Sequence, residues 1–198
     1  MTKQARFRPS LPAIAVLLCV ASCANAEDLS ILQTNDDNDL VVRIRQIDEA
    51  FDLSLIQTGA DSKVELDAKG SVVGSIEQRA DSSVINVETN GSDISTTISQ
   101  SGLDNELLTM IKGSNVEIKF DQSGTSNELE YTNVGSNNEA DVTQSGTDND
   151  LRLEQRGSGL AALLVQSGDG NTLDVEQNES NLEVSITQQG SNGTVVVR

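Results

Sequence analysis

Glutamine residues return at a fixed interval through most of this sequence, and each side-chain amide can both donate and accept hydrogen bonds. Six of them lie 22 residues apart, at Gln78, Gln100, Gln122, Gln144, Gln166 and Gln188. Asparagines follow four of these after five residues, at Asn105, Asn127, Asn149 and Asn171. Where identical amides lie over one another, each can donate to one neighbour and accept from the other. The spacing therefore predicts hydrogen-bonded amide ladders that hold a structure together.

The composition lacks the residues from which many catalytic and metal centres are built. The 198 residues include no His and only two Cys, which leaves no His-based triad and no zinc site of the common Cys/His kinds. Asp and Glu are abundant, but we expect them on the solvent side of strands, away from any pocket. The formal net charge of −18 disfavours a nucleic-acid partner. We therefore expect neither an enzyme nor a cofactor or metal site.

A small residue lies two positions after most of these glutamines, and a related unit begins halfway between them. The first set of glycines is Gly102, Gly124, Gly146, Gly168 and Gly190. The second set, eleven residues away, is Gly91, Gly113, Gly135 and Gly157, with Glu179 as the exception. Glycine suits a bend that needs positive φ, and the Ser, Thr, Asp and Asn residues beside it favour turns. Each eleven-residue unit should therefore end in a tight arc.

Between these arcs, apolar and polar residues alternate, which is typical of a β-strand with one buried face. After Gly146 the inward positions are Asn149, Leu151, Leu153 and Gln155. The outward positions are Asp150, Arg152 and Glu154. The same alternation returns in the other copies, so each unit is predicted to be one strand followed by one arc.

Odd and even units differ, because the 22-residue glutamine and asparagine series run through one set only. Two units therefore make one coil, and the sequence predicts an all-β fold. This fold is a β-solenoid of two-strand, 22-residue coils, with two stacked parallel in-register sheets whose coils lie roughly 4.8 Å apart. Ordering a residue costs about 1–2 kcal/mol, and each buried apolar side chain returns only about 1.5–3 kcal/mol. One unit could not stand alone, so the coils must stack.

The first 26 residues have the form of a signal peptide. A basic segment and a short apolar run precede Ala24-Asn25-Ala26, a typical cleavage signal. A second interpretation is open, because the residues up to Cys23 resemble a bacterial lipobox, which would leave a lipid anchor on Cys23. In both cases we expect an exported protein.

Two segments follow the signal peptide. Residues 27–77 are predicted to be degenerate repeats, with a secretion segment as a further role for part of them. Gly70 lies eleven residues after Gly59, but Ala80 follows after ten, which predicts a one-residue deletion. Residues 78–198 are predicted to form the regular repeat solenoid.

One pattern carries a family resemblance. Gln-Ser-Gly-x-x-Asn-x-Leu-x-x-x-Gln is matched in full by Gln144–Gln155, and Gln100–Ile111 and Gln122–Asn133 match it except at the last position. It resembles the curlin repeat, the signature of the subunits of curli, which are extracellular amyloid fibres of bacterial biofilms. The likeness covers Gln78–Val196. The chain departs from the family in its strongly negative charge and in the aliphatic residues at several inner amide positions.

The resemblance implies a curlin-like amyloid fold and a role as a major or a minor, nucleating fibre subunit in biofilm matrix, adhesion and cell aggregation. It implies secretion through an outer-membrane pore with its chaperones, and polymerisation at the cell surface with itself and with other curlin-like subunits. From the residues alone an alternative stays open. In it the protein is a monomeric exported or lipid-anchored solenoid that serves as an adhesin or a binding surface.

Four features of the predicted outer face and edge bear on these two functions. Glu106, Glu128 and Asp150 should form an acidic line, which is open to interpretation as a cation ladder, a gatekeeper against assembly or a solvated face. Glu130, Arg152 and Asp174 should alternate in sign and support the stack. Ala161, Leu163 and Val165 should form an outer apolar block. It is open to interpretation as a lateral contact between filaments or as local drift of the repeat sequence. The β-prone segment Thr194–Arg198 contains no proline, so we expect growth by strand addition there.

Overall fold

The computed structural model describes residues 28–34, 39–44, 51–68, 70–112 and 114–198, and all sixteen elements within them are β-strands. One sheet contains the odd-numbered strands β1 Asp28–Thr34, β3 Phe51–Thr58, β5 Val72–Asp81, β7 Ile94–Leu103, β9 Glu117–Thr125, β11 Glu139–Thr147, β13 Ala161–Asp169 and β15 Glu183–Ser191. The other contains the even-numbered strands β2 Asp39–Ile44, β4 Lys63–Ala68, β6 Val84–Glu88, β8 Glu106–Ile111, β10 Glu128–Ser136, β12 Asp150–Ser158, β14 Thr172–Gln177 and β16 Thr194–Val197. Within these ranges no helix has the length and hydrophobicity needed to cross a membrane.

The chain winds from one sheet to the other and back, so that each strand pairs in parallel with the strand two places along. From β5 onward the partners lie 22 residues apart, as with Gln100 and Gln122 or Leu129 and Leu151. Identical positions of successive coils therefore lie side by side. This confirms the predicted β-solenoid of two-strand coils with in-register parallel sheets, which the alternation of apolar and polar residues encodes.

The N-terminal coils keep equivalent residues in register, but the number of residues in each coil changes. The pairs Gln33–Gln57 and Gln57–Gln78 are separated by 24 and 21 residues. The short coil places Thr58 opposite Arg79, whereas the next coil places Val72 opposite Ile94. The Cβ position of Gly70 still meets the carbonyl oxygen of Gly91 rather than that of Ser92. The missing residue therefore falls between Gly70 and Val72, which agrees with the ten-residue step from Gly70 to Ala80. The signal peptide, Cys23 and residues 35–38 lie outside the described residues.

The core is a narrow column between the two sheets. On the even-numbered strands its central line of buried side chains runs through Ile85, Leu107, Leu129, Leu151 and Leu173. Facing side chains from the odd-numbered strands include Ile98, Phe120, Val142 and Leu164. The rings of Phe120 and Tyr131 meet edge to face with centroids 5.1 Å apart, an arrangement that adds to the stability from burial. Moderate aliphatic side chains fill this thin column, which explains how a chain with 2% aromatic residues forms a core.

Candidate functional site: buried amide rows and the edges of the stack

The first row is the glutamine row, formed by Gln57, Gln78, Gln100, Gln122, Gln144, Gln166 and Gln188. These side chains are 0–7% exposed. In every successive pair the Nε2 of one residue donates to the Oε1 of the next, at 2.8–3.1 Å. The six pairs run in one direction, so each amide donates toward the C-terminal coil and accepts from the N-terminal one.

Each amide of the row from Gln57 to Gln166 also uses its second N–H. Gln122 donates from Nε2 to the carbonyl oxygens of Glu106 and Asn127, both at 2.9 Å, and Gln144 does the same with Glu128 and Asn149. An amide buried without partners costs about 1–3 kcal/mol. Here the row bonds both to itself and to the backbone of the facing arc, and so joins the two sheets along one side of the solenoid.

The asparagine row, Asn105, Asn127, Asn149 and Asn171, stabilises the arcs rather than the sheets. Asn149 donates from Nδ2 to the carbonyl of Gly168 in the next coil at 2.6 Å and to Ser145 in its own coil at 3.1 Å. Its Oδ1 accepts the backbone N–H of Asn171 at 3.0 Å. Ser83 takes the place before Asn105 and accepts its backbone N–H with Oγ.

Bonds between successive asparagine amides run in the opposite direction to those of the glutamine row. Where these amides do bond to each other, the donor is the later one, as in Asn149 Nδ2 to Asn127 Oδ1 at 3.0 Å. The shorter side chain reaches the glycine carbonyl of the following coil, so its forward bond goes to the backbone. The two rows therefore use different geometry although both are made of amides.

The glycines that lie two positions after the glutamines of the glutamine row allow coils to approach closely. Gly146 has φ of +118°, and a Cβ at this position would lie 1.9 Å from the carbonyl oxygen of Gly168. Any side chain here would separate two coils, so the glycine is required both by its backbone conformation and by contact. The same contact returns at Gly102, Gly124 and Gly168.

A second left-handed residue in each arc was missed by the sequence analysis. Two positions after the glycine, φ is between +51° and +69° at Asp61, Ser82, Asp93, Asp104, Asn115, Ser126, Asn137, Asp148, Gly159, Gly170, Asn181 and Asn192. Asn, Asp and Gly are the residues that adopt this conformation most readily. The missing residue between Gly70 and Val72 falls where this series would place one. The available signal is the recurrence of Asp and Asn at this position, which favours a specific left-handed residue and not only a turn in general.

On the opposite side of the solenoid lies the mixed row, Thr89, Ile111, Asn133, Gln155 and Gln177. Gln155 donates to Gln177 at 2.9 Å and accepts the hydroxyl of Tyr131 at 2.7 Å. Burial raises the pKa of Tyr131 above its ordinary value. The Nδ2 of Asn133 and the Oγ1 of Thr89 are buried without a partner. Because unlike side chains follow one another, this row is not a continuous ladder.

The outer face of the even-numbered strands carries two contrasting lines of charge. Glu106, Glu128 and Asp150 lie in register. Partial burial, with the charges of Asp150, Glu106 and Glu130, raises the pKa of the Glu128 carboxyl. Among the described residues no group of three or more acidic, His or Cys side chains is placed to hold a metal ion.

The second line lies two residues farther along each strand, and its charges alternate in sign, as expected. Arg152 lies 3.8 Å from Glu130 and 3.7 Å from Asp174, and Arg198 pairs with Asp174 at 2.7 Å. The hydrogen bond from Arg198 lowers the pKa of Asp174.

One outward residue is not exposed as expected. Glu154 is only 5% exposed, because the guanidinium groups of Arg152 and Arg156 cover its carboxylate. On the other sheet Leu163 is outward and 49% exposed, whereas Ala161 and Val165 beside it are half-buried.

In the last coil, the groups that contact the following coil elsewhere in the stack have no partner. Gln188 accepts from Gln166, but its own Nε2 is buried without a partner. A Cβ on Gly190 would meet nothing within 4 Å. In the structure, β15 and β16 each pair with one strand only. This edge therefore has a side-chain donor without an acceptor and space for another coil.

The comparisons with known proteins support one family. Residues 146–178, which span β12, β13 and β14, match the model of the curlin associated repeat. No curated protein and no solved structure matches the chain.

Proposed function

Since the chain is a member of the curlin-repeat family, we propose that it is a subunit of extracellular, curli-like amyloid fibres. The repeat and the β-solenoid fold fit a structural protein of the curli type. The fibre role, in which the protein acts as a major or a nucleating minor subunit, is the further step. In this role, two molecules contact each other in the same way as successive coils do within one molecule.

One observation carries this proposal, namely the edge of the last coil. Gln188 is 7% exposed and has an Nε2 without a partner, and a buried amide hydrogen without an acceptor costs about 1–3 kcal/mol. An added coil with a glutamine at the same place would supply the acceptor. An unpaired parallel strand edge is also a template for further strands. Addition of like coils satisfies both needs at once.

The proposal extends to partners and location. Other curlin-like subunits could share the same stack, since the backbone contacts and the glutamine row need only like residues at like places. In this role the protein is exported through an outer-membrane secretion pore with its chaperones and remains at the cell surface. Deletion of such a pore should retain the protein inside the cell, as detected by surface labelling with an antibody.

Seeded assembly tests the fibre role directly. Purified exported protein incubated with preformed seeds should show a rise in thioflavin fluorescence, and the product should give a fibre reflection near ~4.8 Å. The control is Gly146→Pro, which breaks an arc and should abolish both signals. A parent protein that stays a soluble monomer over days with seeds would reject the fibre role and favour a monomeric surface solenoid.

A further inference from the structure

Three threonines occupy inward positions of the solenoid without a hydrogen-bond partner for their hydroxyl groups. Thr89, Thr96 and Thr109 are 1–3% exposed, and the Oγ1 atom of each is buried and unpaired. Among the described residues these are the only buried hydroxyl groups of this kind. A hydroxyl group that loses its water without gaining a partner shifts the folding equilibrium toward the unfolded state by a factor on the order of ten. Burial of this section of the core is therefore less favourable than burial of its neighbours.

The three threonines belong to two successive coils. Thr89 directly follows β6, and the other two lie in β7 and β8. Thr109 is the register partner of Tyr131, whose ring meets that of Phe120 across the core with centroids 5.1 Å apart. Ile98 of β7 is the register partner of Phe120. The same winding therefore sets β7 opposite β8, and the threonines share one section of the core between the two sheets.

Next to Thr96, the preceding coil has no side chain in the core. The inward line of Thr96 continues through Ile118 and Ala140 in one direction, and through Gly74 and Leu53 in the other. A Cβ on Gly74 would lie 2.6 Å from the carbonyl oxygen of Thr96, so the two backbones are closer here than a larger residue allows. Gly74 therefore has no side chain that could pack against the Thr96 hydroxyl group or accept a hydrogen bond from it.

The strand contacts of these two coils differ between the sheets. β5 pairs with β7 over ten residues, but β6 pairs with β8 over only five, whereas β10 and β12 pair over nine. The glutamine row crosses this contact without a break, since Gln78 Nε2 donates to Gln100 Oε1 at 2.9 Å. In the mixed row, Thr89 is followed one coil later by Ile111, which has no polar side-chain group. The weaker side of the contact is therefore the side of β6 and β8.

The arc before β6 also lacks a bond that a later arc makes. Ser83 donates from Oγ to the carbonyl oxygen of Asp81 in its own arc at 2.9 Å. At the equivalent position of the next coil, Asn105 donates from Nδ2 to the carbonyl oxygen of Gly124 in the following coil at 3.0 Å. Because the serine side chain is shorter, this forward bond is missing from the described contact between the arcs before β6 and β8.

We propose that the solenoid opens locally between β6 and β8, on the side of the mixed row, while β5 and β7 stay paired beside the glutamine row. Opening brings water to the hydroxyl groups of the three threonines and so removes the cost of burying them. In the coils of β9–β14, the described residues include no buried hydroxyl group without a partner, and the asparagine row joins successive arcs. The opening is a property of the single chain and does not depend on the proposed fibre function.

Hydrogen exchange followed by mass spectrometry tests this opening in the full exported chain, freshly prepared as monomer at low concentration. Backbone amides in peptides that cover β6 and β8 should exchange at least tenfold faster than those in peptides that cover β10 and β12. Amides of β5 and β7 should exchange more slowly than those of β6 and β8, because their pairing persists in the open state. Equal protection of the β6–β8 and β10–β12 contacts would overturn the proposal.

A double variant tests whether the hydroxyl groups cause the opening. Thr96→Val/Thr109→Val removes two of them and nearly keeps the shape of the side chains, so it should slow exchange in β6 and β8 roughly tenfold or more. Exchange in β10 and β12 should not change. The matched control is Thr97→Val, which should exchange like the parent because Thr97 is exposed on the outer face of β7.

Unchanged or faster exchange in β6 and β8 of the double variant would show that the buried hydroxyl groups do not drive the opening, and would overturn the proposal. The comparison of strands within the parent protein decides the matter even where the double variant does not fold.

Discussion

The two sides of this solenoid share one period but bury polar groups in different ways. The glutamine row has an amide in every coil from Gln57 to Gln188, and each residue before the last donates to its neighbour. The mixed row alternates in type, and Asn133 and Thr89 retain buried atoms without partners. A buried amide row is therefore stabilising only while it is continuous, because each member depends on the next for its acceptor.

The largest effects should appear at the glycines, where the backbone of the next coil decides the cost on either side, since the Cβ position of Gly135 on the mixed-row side would also lie 1.6 Å from the carbonyl oxygen of Gly157. In Gly146→Ala the Cβ would lie 1.9 Å from the carbonyl oxygen of Gly168, so we expect a loss of about 4 kcal/mol or more in the free energy of unfolding. At Gly157 no atom lies closer than 3.5 Å to the Cβ position, but φ is +156°, so Gly157→Ala should cost only the backbone strain, about 1–3 kcal/mol. Guanidinium unfolding of the monomer, followed by the fluorescence of Tyr131, measures both. Equal losses would contradict the close approach of coils at Gly146.

A smaller difference is expected within the rows themselves. Gln122→Leu removes the acceptor of Gln100 and the donor of Gln144, and should cost roughly 2–4 kcal/mol. Asn133→Leu removes an amide whose Nδ2 is unpaired and whose Oδ1 accepts from Asn138 at 2.7 Å, so it breaks one buried side-chain hydrogen bond and should cost about 1–2 kcal/mol. The same unfolding assay compares them. If Asn133→Leu were the more damaging variant, continuity of the row would not be the source of stability.

The smallest effects should be those of the outer charges, and they have opposite dependence on pH. The folded-state pKa of Glu128 is raised, so its contribution is present in full at low pH and is lost as pH rises through that pKa. Glu128→Gln should therefore raise stability at pH 7, by up to about 1 kcal/mol, and have no such benefit near pH 3. Unfolding midpoints across this range provide the measurement.

Asp174 is the matched case with the opposite sign. Its folded-state pKa is lowered by Arg198, so its contribution is present above the unfolded pKa and is lost as pH falls through the folded one. Asp174→Asn should lower stability at pH 7 and approach the parent at low pH. A gain at pH 7 from Asp174→Asn, or a loss from Glu128→Gln, would contradict the assignment of these lines.

The register was predictable because residues 22 apart repeat in type, and an in-register parallel sheet is the arrangement that brings them together. The alternation after Gly146 was enough to assign Leu151 and Leu153 to the core. The burial of Glu154 was not predictable, since it depends on how two long arginine side chains fold over a strand. Neither was the forward bond of Asn149, because it depends on how closely the next arc's backbone approaches. Strand periodicity specifies faces and partners, but it does not specify the path of the arcs.

Whether identical residues lie one coil apart can be measured most directly with paired cysteines inside the monomer, with Cys19 and Cys23 replaced by serine. Ser123 and Ser145 are Cα partners on β9 and β11, so Ser123→Cys/Ser145→Cys should oxidise rapidly to an intramolecular disulfide at low protein concentration. Ser123→Cys/Val134→Cys, which joins residues on opposite sheets, should remain reduced under the same conditions. A disulfide in the first pair and not in the second is the result expected of an in-register stack. A disulfide in the second pair but not in the first would contradict it.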